Sequence, residues 1–237
     1  MQKQIQAAPT IVYPESDGEP MAETDRHRKL IIDFILMLED YFKDANDVYV
    51  SGDLLIYYEE GNIYKSVAPD VFVVFGVSKK ERRTYRTWEE GHTPDFVLEV
   101  ASPSTYNKDI TEKMALYESI FGVREYYIYD PYGEVSPQFQ GYRLIDGTYQ
   151  AIEFVDGRLP SDVLGLELGE HGGLLSLYNA TRSAWISPPQ VRVLEEAEAR
   201  QEAEARASEE AEARQHVETE LAKALALIEQ LQEKTKS

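Results

Sequence analysis

Apolar residues recur along this chain in two rhythms, and the places where the rhythm changes mark its elements. Between Asp25 and Lys43, the residues Ile31, Phe34, Ile35, Leu38, Tyr41 and Phe42 fall at i, i+3, i+4, i+7, i+10 and i+11. That spacing predicts a helix with one apolar face. From Val48 the pattern changes to short runs of β-branched and aromatic residues. One covers Val48 to Tyr58 and closes in Glu59-Glu60-Gly61-Asn62, a second covers Asp70 to Phe75, and a third, beyond the polar stretch Ser78 to Gly91, covers Asp95 to Ala101. The second and third are nearly continuous in apolar character, which predicts central strands buried on both faces of a sheet. A helix is expected after Pro103, from about Asn107, with Ile110, Met114, Tyr117 and Phe121 as its apolar stripe and Gly122 as its left-handed C-cap. A fourth strand, Glu125 to Tyr129, follows and closes at Asp130-Pro131. Strand, helix, strand in that order predicts a crossover between parallel strands.

Beyond Gln138 the elements shorten. Phe139 to Ile145 and Thr148 to Phe154 flank Asp146-Gly147, a strong hairpin signal. Leu164 to Leu168, Leu174 to Tyr178 and Ser183 to Ile186 continue the antiparallel part. After Pro188-Pro189 the composition becomes almost wholly Glu, Ala, Arg and Gln, and Glu-Glu-Ala-Glu-Ala-Arg-Gln occurs at 195–201 and again at 209–215. This is strongly helical material, enough for a rod of roughly 65 Å. An apolar seam appears only near the end, at Val217, Leu221, Ala224, Ile228 and Leu231, in alternating steps of four and three. A solvated helix held by local ion pairs and a dimerising coiled coil both fit. The organisation expected is a flexible leader over 1–23, a folded body over 24–188 and a long charged helix over 189–237. The fold class is α/β (α+β): a mixed central sheet flanked by helices, an antiparallel extension and the C-terminal helix.

Composition narrows the function. Apolar residues make up 43% of the 237, enough for a core, and Cys is absent, which excludes disulfides and cysteine metal sites. The longest apolar run, Leu30 to Leu38, is interrupted by Asp33 and far too short to span a membrane. A cytoplasmic protein with no membrane partner is expected. The formal net charge is -19; from residue 195 onward 12 acidic and 6 basic residues leave -6 on the tail and -13 on the rest. That balance runs against the basic footprint usual in nucleic-acid binders.

Chemistry concentrates in the middle of the chain. Glu99 lies in a strand between Leu98 and Val100, so it faces the same way as Val97 and Ala101, into a layer that should otherwise be dry. A buried carboxylate needs a partner or a metal. Asp109, Lys113 and Tyr117 follow at four-residue steps on the next helix, beside the stripe that packs on the sheet. Asp70 opens another strand after Pro69. Two carboxylates and an ammonium suit a hard divalent cation acting on a phosphodiester. Asp53 and Glu39 are further candidates from the first strand and first helix. Purely structural roles are also open: Asp70 as a strand cap, Glu99 with Lys113 as a buried ion pair, Asp109 with Lys113 as a surface pair, Tyr117 as core. Ser102 and Ser104 read as caps or turn residues, and none of His27, His92, His171 and His216 has another histidine at ligand spacing, which argues against zinc.

These residues resemble a known family. Ala68-Pro69-Asp70, Trp88-Glu89-Glu90-Gly91, the run Pro94 to Thr105, then Asp109, Lys113, Tyr117 and Gly122 to Tyr127 are similar to the Uma2-type (DUF820) restriction endonucleases of the PD-(D/E)XK nuclease superfamily, over about Leu30 to Pro131. The resemblance implies a restriction-endonuclease-like core and a magnesium- or manganese-dependent endonuclease acting on DNA. It places the metal carboxylates at Asp70 and Glu99 and the catalytic amine at Lys113; Asp109, Tyr117 and Asp53 stand beside them as candidate auxiliary residues, and a homodimer, held in part by the C-terminal helix, is the expected assembly. The superfamily lysine normally stands two positions after the glutamate, where this chain has Ala101; the resemblance shifts that role to Lys113. The alternative is a catalytically degenerate nuclease-fold module that binds nucleic acid or protein and assembles through its tail.

Overall fold

The computed structural model describes residues 11–16 and 24–235. Of the leader expected over 1–23, residues 1–10 and 17–23 lie outside the described residues. Residues 11–16 have no helix or strand, but Tyr13 packs against Tyr57 and Trp88, and the Tyr57 hydroxyl donates to the Pro14 carbonyl.

Helix α1 (Asp25–Tyr41) begins where Thr24 caps it, its hydroxyl accepting the His27 amide. It buries Leu30, Ile31, Phe34, Met37 and Leu38, and the Lys79 ammonium donates to the carbonyls of Phe42 and Lys43 just past its end. The run expected as one strand from Val48 to Tyr58 is two: β1 (Val48–Ser51) and β2 (Ile56–Tyr57). Gly52-Asp53 breaks it. Asp53 takes a φ of 48°, and a Cβ on Gly52 would stand 2.0 Å from the Asp70 carbonyl oxygen, so only glycine admits this close turn. Next come β3 (Ser66–Val67), β4 (Val71–Phe75), β5 (Tyr85–Arg86), the one-turn helix α2 (Thr87–Glu90) and β6 (Phe96–Val100). β3, β5 and α2 are too short to show a period in the sequence.

The helix after β6 runs over residues 106–121 but is not regular. It alternates α3 (Tyr106–Lys108), a π segment (Asp109–Lys113), α4 (Met114–Leu116) and a second π segment (Tyr117–Phe121). Gly122 ends it at φ 63°, in the left-handed conformation expected of it. Then follow β7 (Glu125–Tyr129), β8 (Phe139–Ile145), β9 (Thr148–Ala151), β10 (Leu159–Ser161), β11 (Leu166–His171), β12 (Leu174–Asn179) and β13 (Ala184–Ile186).

Six strands form a mixed central sheet in the order β1-β4-β6-β7-β8-β9. Only β6 and β7 are parallel, as the intervening helix requires; the other pairings are antiparallel. One face packs on α1 and on the antiparallel sheet β10-β11-β12-β13, through Phe34, Leu38, Val71, Val73, Phe96, Leu98, Tyr127, Leu168 and Leu177. The other face, with Phe72, Val97, Tyr126 and Ile128, is covered by the irregular helix through Tyr117 and Phe121. Strands β4, β6 and β7 are therefore covered on both sides, which explains their unbroken apolar runs.

Residues 189–237 form a second compact unit. It is the helix α5 (Pro189–Thr235), whose described surface carries local ion pairs such as Arg200–Glu204 and Glu202–Arg206.

Candidate active site

Antiparallel pairing of β4 with β6 sets Val71 opposite Leu98 and Phe72 opposite Val97. One further step along that register brings Asp70, just ahead of β4, level with Glu99. Directly opposed residues share a face, so both carboxylates stand on the side covered by the irregular helix. Glu99 is 0% exposed, and both of its oxygens are taken from that helix. The Lys113 ammonium donates to Oε2 at 2.8 Å and the Tyr117 hydroxyl donates to Oε1 at 2.7 Å. Lys113 Nζ also lies 3.1 Å from Asp109 Oδ1, and Asp109 is 1% exposed. Asp70 Oδ2 accepts the Val100 amide at 2.6 Å.

The π segments help make this row possible. Four residues of α-helix turn about 40° past a full revolution, so residues 109, 113 and 117 would drift around the axis. A π turn holds more residues, which takes out part of that drift and keeps all three over the end of β6.

The electrostatics follow from burial. Desolvation, and then the charge of Glu99, push the Asp70 carboxyl well above its ordinary range; Lys113 and the Val100 amide only partly counter this. Asp109 is raised by burial, against the pull of Lys113. Burial disfavours the Lys113 charge, but Glu99, Asp109 and Asp70 together outweigh it and hold the ammonium above the usual lysine range. Burial keeps the Tyr117 hydroxyl protonated, as its role as donor requires.

A cavity of about 290 Å³ opens onto the cluster, lined by Thr24, His27, Asp70, Val100, Ser102, Ser104, Thr105, Asp109 and Lys113. Glu99 lies beneath it. Ser102, Ser104 and Thr105 bond one another at the turn between β6 and the helix, as turn residues do. His27 is the lining residue that sequence reasoning passed over. Thr24 Oγ1 accepts the His27 amide and the Tyr132 hydroxyl, so its own proton goes to His27 Nδ1 at 2.9 Å. Nε2–H then donates to the Ala101 carbonyl at 3.1 Å. A search for paired histidines could not find it; its third place after a capping threonine was the available signal.

The other candidates fall elsewhere. Asp53 is exposed, and its charge raises Asp70 slightly from across the Gly52 turn. Glu39 lines a separate cavity with Phe42, Lys43, Val48, Tyr49, Val50 and Lys79. Asp95, at the opposite end of β6, accepts the Phe75 amide and pairs with Arg124. Ala101 is fully buried on the Glu99 side, packed with Val97 and Tyr117.

The donor set is oxygen-rich and hard, which suits a divalent cation of the magnesium type. Asp109 Oδ1 is buried and lies 3.1 Å from the Lys113 ammonium, an ion pair that a cation would have to share. Among the described residues no group of three or more His, Cys, Asp or Glu side chains is gathered to hold a metal by itself. Magnesium keeps several waters and is commonly bound through one or two carboxylates, so these residues fit it without such a cage. Among the described residues no helix is long and apolar enough to cross a membrane.

The family model Uma2, described as "Putative restriction endonuclease", matches residues 4–174. No curated protein matches the chain. Among solved structures, a "putative nuclease belonging to DUF820" from Anabaena variabilis is similar, with 15% sequence identity and a TM-score of 0.45, covering 63% of this chain and 81% of that one.

Proposed function

This chain belongs to the Uma2 family, and from that membership we propose that it is a metal-dependent endonuclease that hydrolyses DNA phosphodiester bonds, with Mg²⁺ or Mn²⁺ as its cofactor. The observation that carries this reading is the Lys113 ammonium, ion-paired to Glu99 and Asp109 beneath a pocket that Asp70 also lines. Asp70 and Glu99 hold the cation, with Asp109 as the auxiliary donor. A cation held there would supply polarisation of a phosphate oxygen and acidification of a water. Lys113 orients that water or stabilises charge on the phosphate, in a site where a fixed ammonium needs no rearrangement at the moment of reaction. Tyr117 fixes the Glu99 carboxylate through its hydrogen bond. Asp53 acts only through its field on Asp70. The test is conversion of supercoiled plasmid to nicked and linear forms by the full chain with Mg²⁺ or Mn²⁺. Cleavage lost in Glu99→Gln, with folding retained by circular dichroism, supports the assignment; no cleavage by the parent protein with any divalent metal removes it.

A second reading, a nuclease-fold module that binds without cutting, is favoured by the net charge of -19 and by Ala101 in place of the usual lysine. DNA binding without cleavage in the same assay selects it.

A further inference from the structure

Every side chain from 193 to 224 of the helix α5 is exposed. Its ion pairs, such as Arg200–Glu204 and Glu202–Arg206, are solvated and contribute little each. Its seam is longer than its apolar end. Carried back from Val217 in alternating steps of three and four, the stripe passes through Arg214, Glu210, Ala207, Ala203, Arg200 and Glu196 without a break. The repeat at 195–201 and 209–215 is the cause: its offset is two heptads, so Glu and Arg return to the same seam places. One stripe therefore carries charged and small residues in its first half and exposed Val217, Leu221 and Ile228 in its second.

This stripe is badly matched to its own copy in parallel. There each seam residue meets itself across the interface, and Glu196, Arg200, Glu210 and Arg214 would each face a like charge, which disfavours that pairing. Reversing one helix removes the conflict. With Pro189 set against Thr235, Arg214 meets Glu210 of the second copy, and two-fold symmetry repeats that pair with the copies exchanged. In the same register Val217 meets Ala207 and Leu221 meets Ala203, a large side chain against a small one in each layer. Ala224 and Ile228 meet Arg200 and Glu196, whose aliphatic stems cover them while the charged ends reach water.

We propose that α5 binds a second copy of itself in antiparallel orientation, the two helices overlapping over their whole length about a two-fold axis beside Glu212. Sliding the copies by two heptads, to set Ala203 against Ala207, also opposes Glu to Arg. It leaves Ala224 and Ile228 beyond the end of the second helix, so the full overlap is the register that covers the apolar seam. The orientation has a consequence for the whole assembly. The two Pro188-Pro189 junctions stand at opposite ends of a rod of about 70 Å, whereas a parallel pair sets them side by side.

The chain has no cysteine, so introduced thiols report without background. Full chains carrying Ala207→Cys, Val217→Cys or both are treated with bismaleimidoethane, a short thiol-to-thiol crosslinker. Only the double variant should give a covalent dimer. Residue 207 of one copy then lies beside residue 217 of the other, while like positions are offset by about 15 Å along the axis. A covalent dimer from either single variant, or from none of the three proteins, overturns the proposal. A charge exchange checks the register independently. Glu210→Arg should weaken self-association roughly tenfold in analytical ultracentrifugation, and adding Arg214→Glu should restore it. In a parallel dimer Glu210→Arg only replaces one like pair by another, so an unchanged dissociation constant for the single variant also overturns the antiparallel pairing.

Discussion

Lys113 Nζ lies 2.8 Å from Glu99 Oε2, and the two side chains are almost wholly enclosed, at 16% and 1% exposure. They come from a strand and from the helix that directly follows it, fourteen residues apart. The pair therefore serves as a structural clamp between sheet and helix as well as part of the proposed site. Removing one charge from an enclosed pair leaves the other unpaired, at a typical cost of about 3–5 kcal/mol. Lys113→Ala should destabilise the fold by that order, read from urea unfolding, and abolish cleavage. Combining Lys113→Met with Glu99→Gln should recover most of the stability and none of the activity. A double variant as unstable as Lys113→Ala would show that the clamp is not electrostatic.

Tyr117 gives a milder probe. Its hydroxyl donates to Glu99 Oε1 at 2.7 Å, while its ring packs against Phe121 and Tyr126. Tyr117→Phe keeps the packing and leaves one carboxylate oxygen without its donor, a loss of about 1–3 kcal/mol. Cleavage should fall, with the larger effect on kcat. Unchanged unfolding and unchanged kinetics would show that the hydrogen bond holds nothing in place.

Asp70 carries a pH dependence of definite sign. Its carboxyl is raised by folding, through burial first and Glu99 second. A carboxyl raised in this way binds its proton more tightly folded than unfolded. Its contribution to stability therefore declines as pH climbs from the ordinary aspartate value of about 3.9 through the raised one. Wherever the side chain is ionised, its charge opposes folding. Asp70→Asn removes that charge and retains an acceptor for the Val100 amide. Its melting temperature should exceed that of the parent at neutral pH, by roughly 2–4 °C for each kcal/mol relieved, and the gap should close in acid. Activity should be lost. Thermal melts between about pH 4 and 8 check this, and a lower melting temperature for the variant at neutral pH would contradict it.

Gly52 positions Asp70 by having no side chain. A Cβ there would also stand 2.8 Å from Ile35 Cδ1 as well as against the Asp70 carbonyl. Gly52→Ala should cost about 1–3 kcal/mol through overpacking and reduce cleavage more than that loss of stability alone explains. Unfolding curves and plasmid nicking on the same preparation separate the two effects.

The second half of the C-terminal helix carries Val217, Leu221 and Ile228, at 65%, 58% and 49% exposure, in the four-and-three spacing of a coiled-coil seam. The full chain is expected to sediment as a dimer, and Leu221→Glu with Ile228→Glu as a monomer. Identical sedimentation of both proteins would leave the helix without an assembly role.

Much of this architecture was legible in the sequence because its signals are local. Strand β6 follows from its unbroken apolar run, and alternation along it sets Glu99 on the same side as Val97 and Ala101. Gly122 and Asp146-Gly147 announced their turns, and both residues of the latter take positive φ. The break at Gly52 was not legible, since it arises from contact with Asp70, eighteen residues away. His27 was hidden for a similar reason: its partners Ala101 and Tyr132 are distant in sequence, and only the folded chain brings them together. Asp109 was visible as a helical neighbour of Lys113, but its burial emerges only from the packing around it.

The two π segments give the helix of the proposed site a gearing that ordinary winding lacks. Rewinding 109–113 at regular α pitch without changing its length would rotate everything beyond it by roughly 90°. Lys113 or Tyr117 would then swing off Glu99, though the helix itself would be better bonded. A variant of unchanged length that is more regularly wound over these residues but unable to cut would show that this irregularity sets the phase of the site.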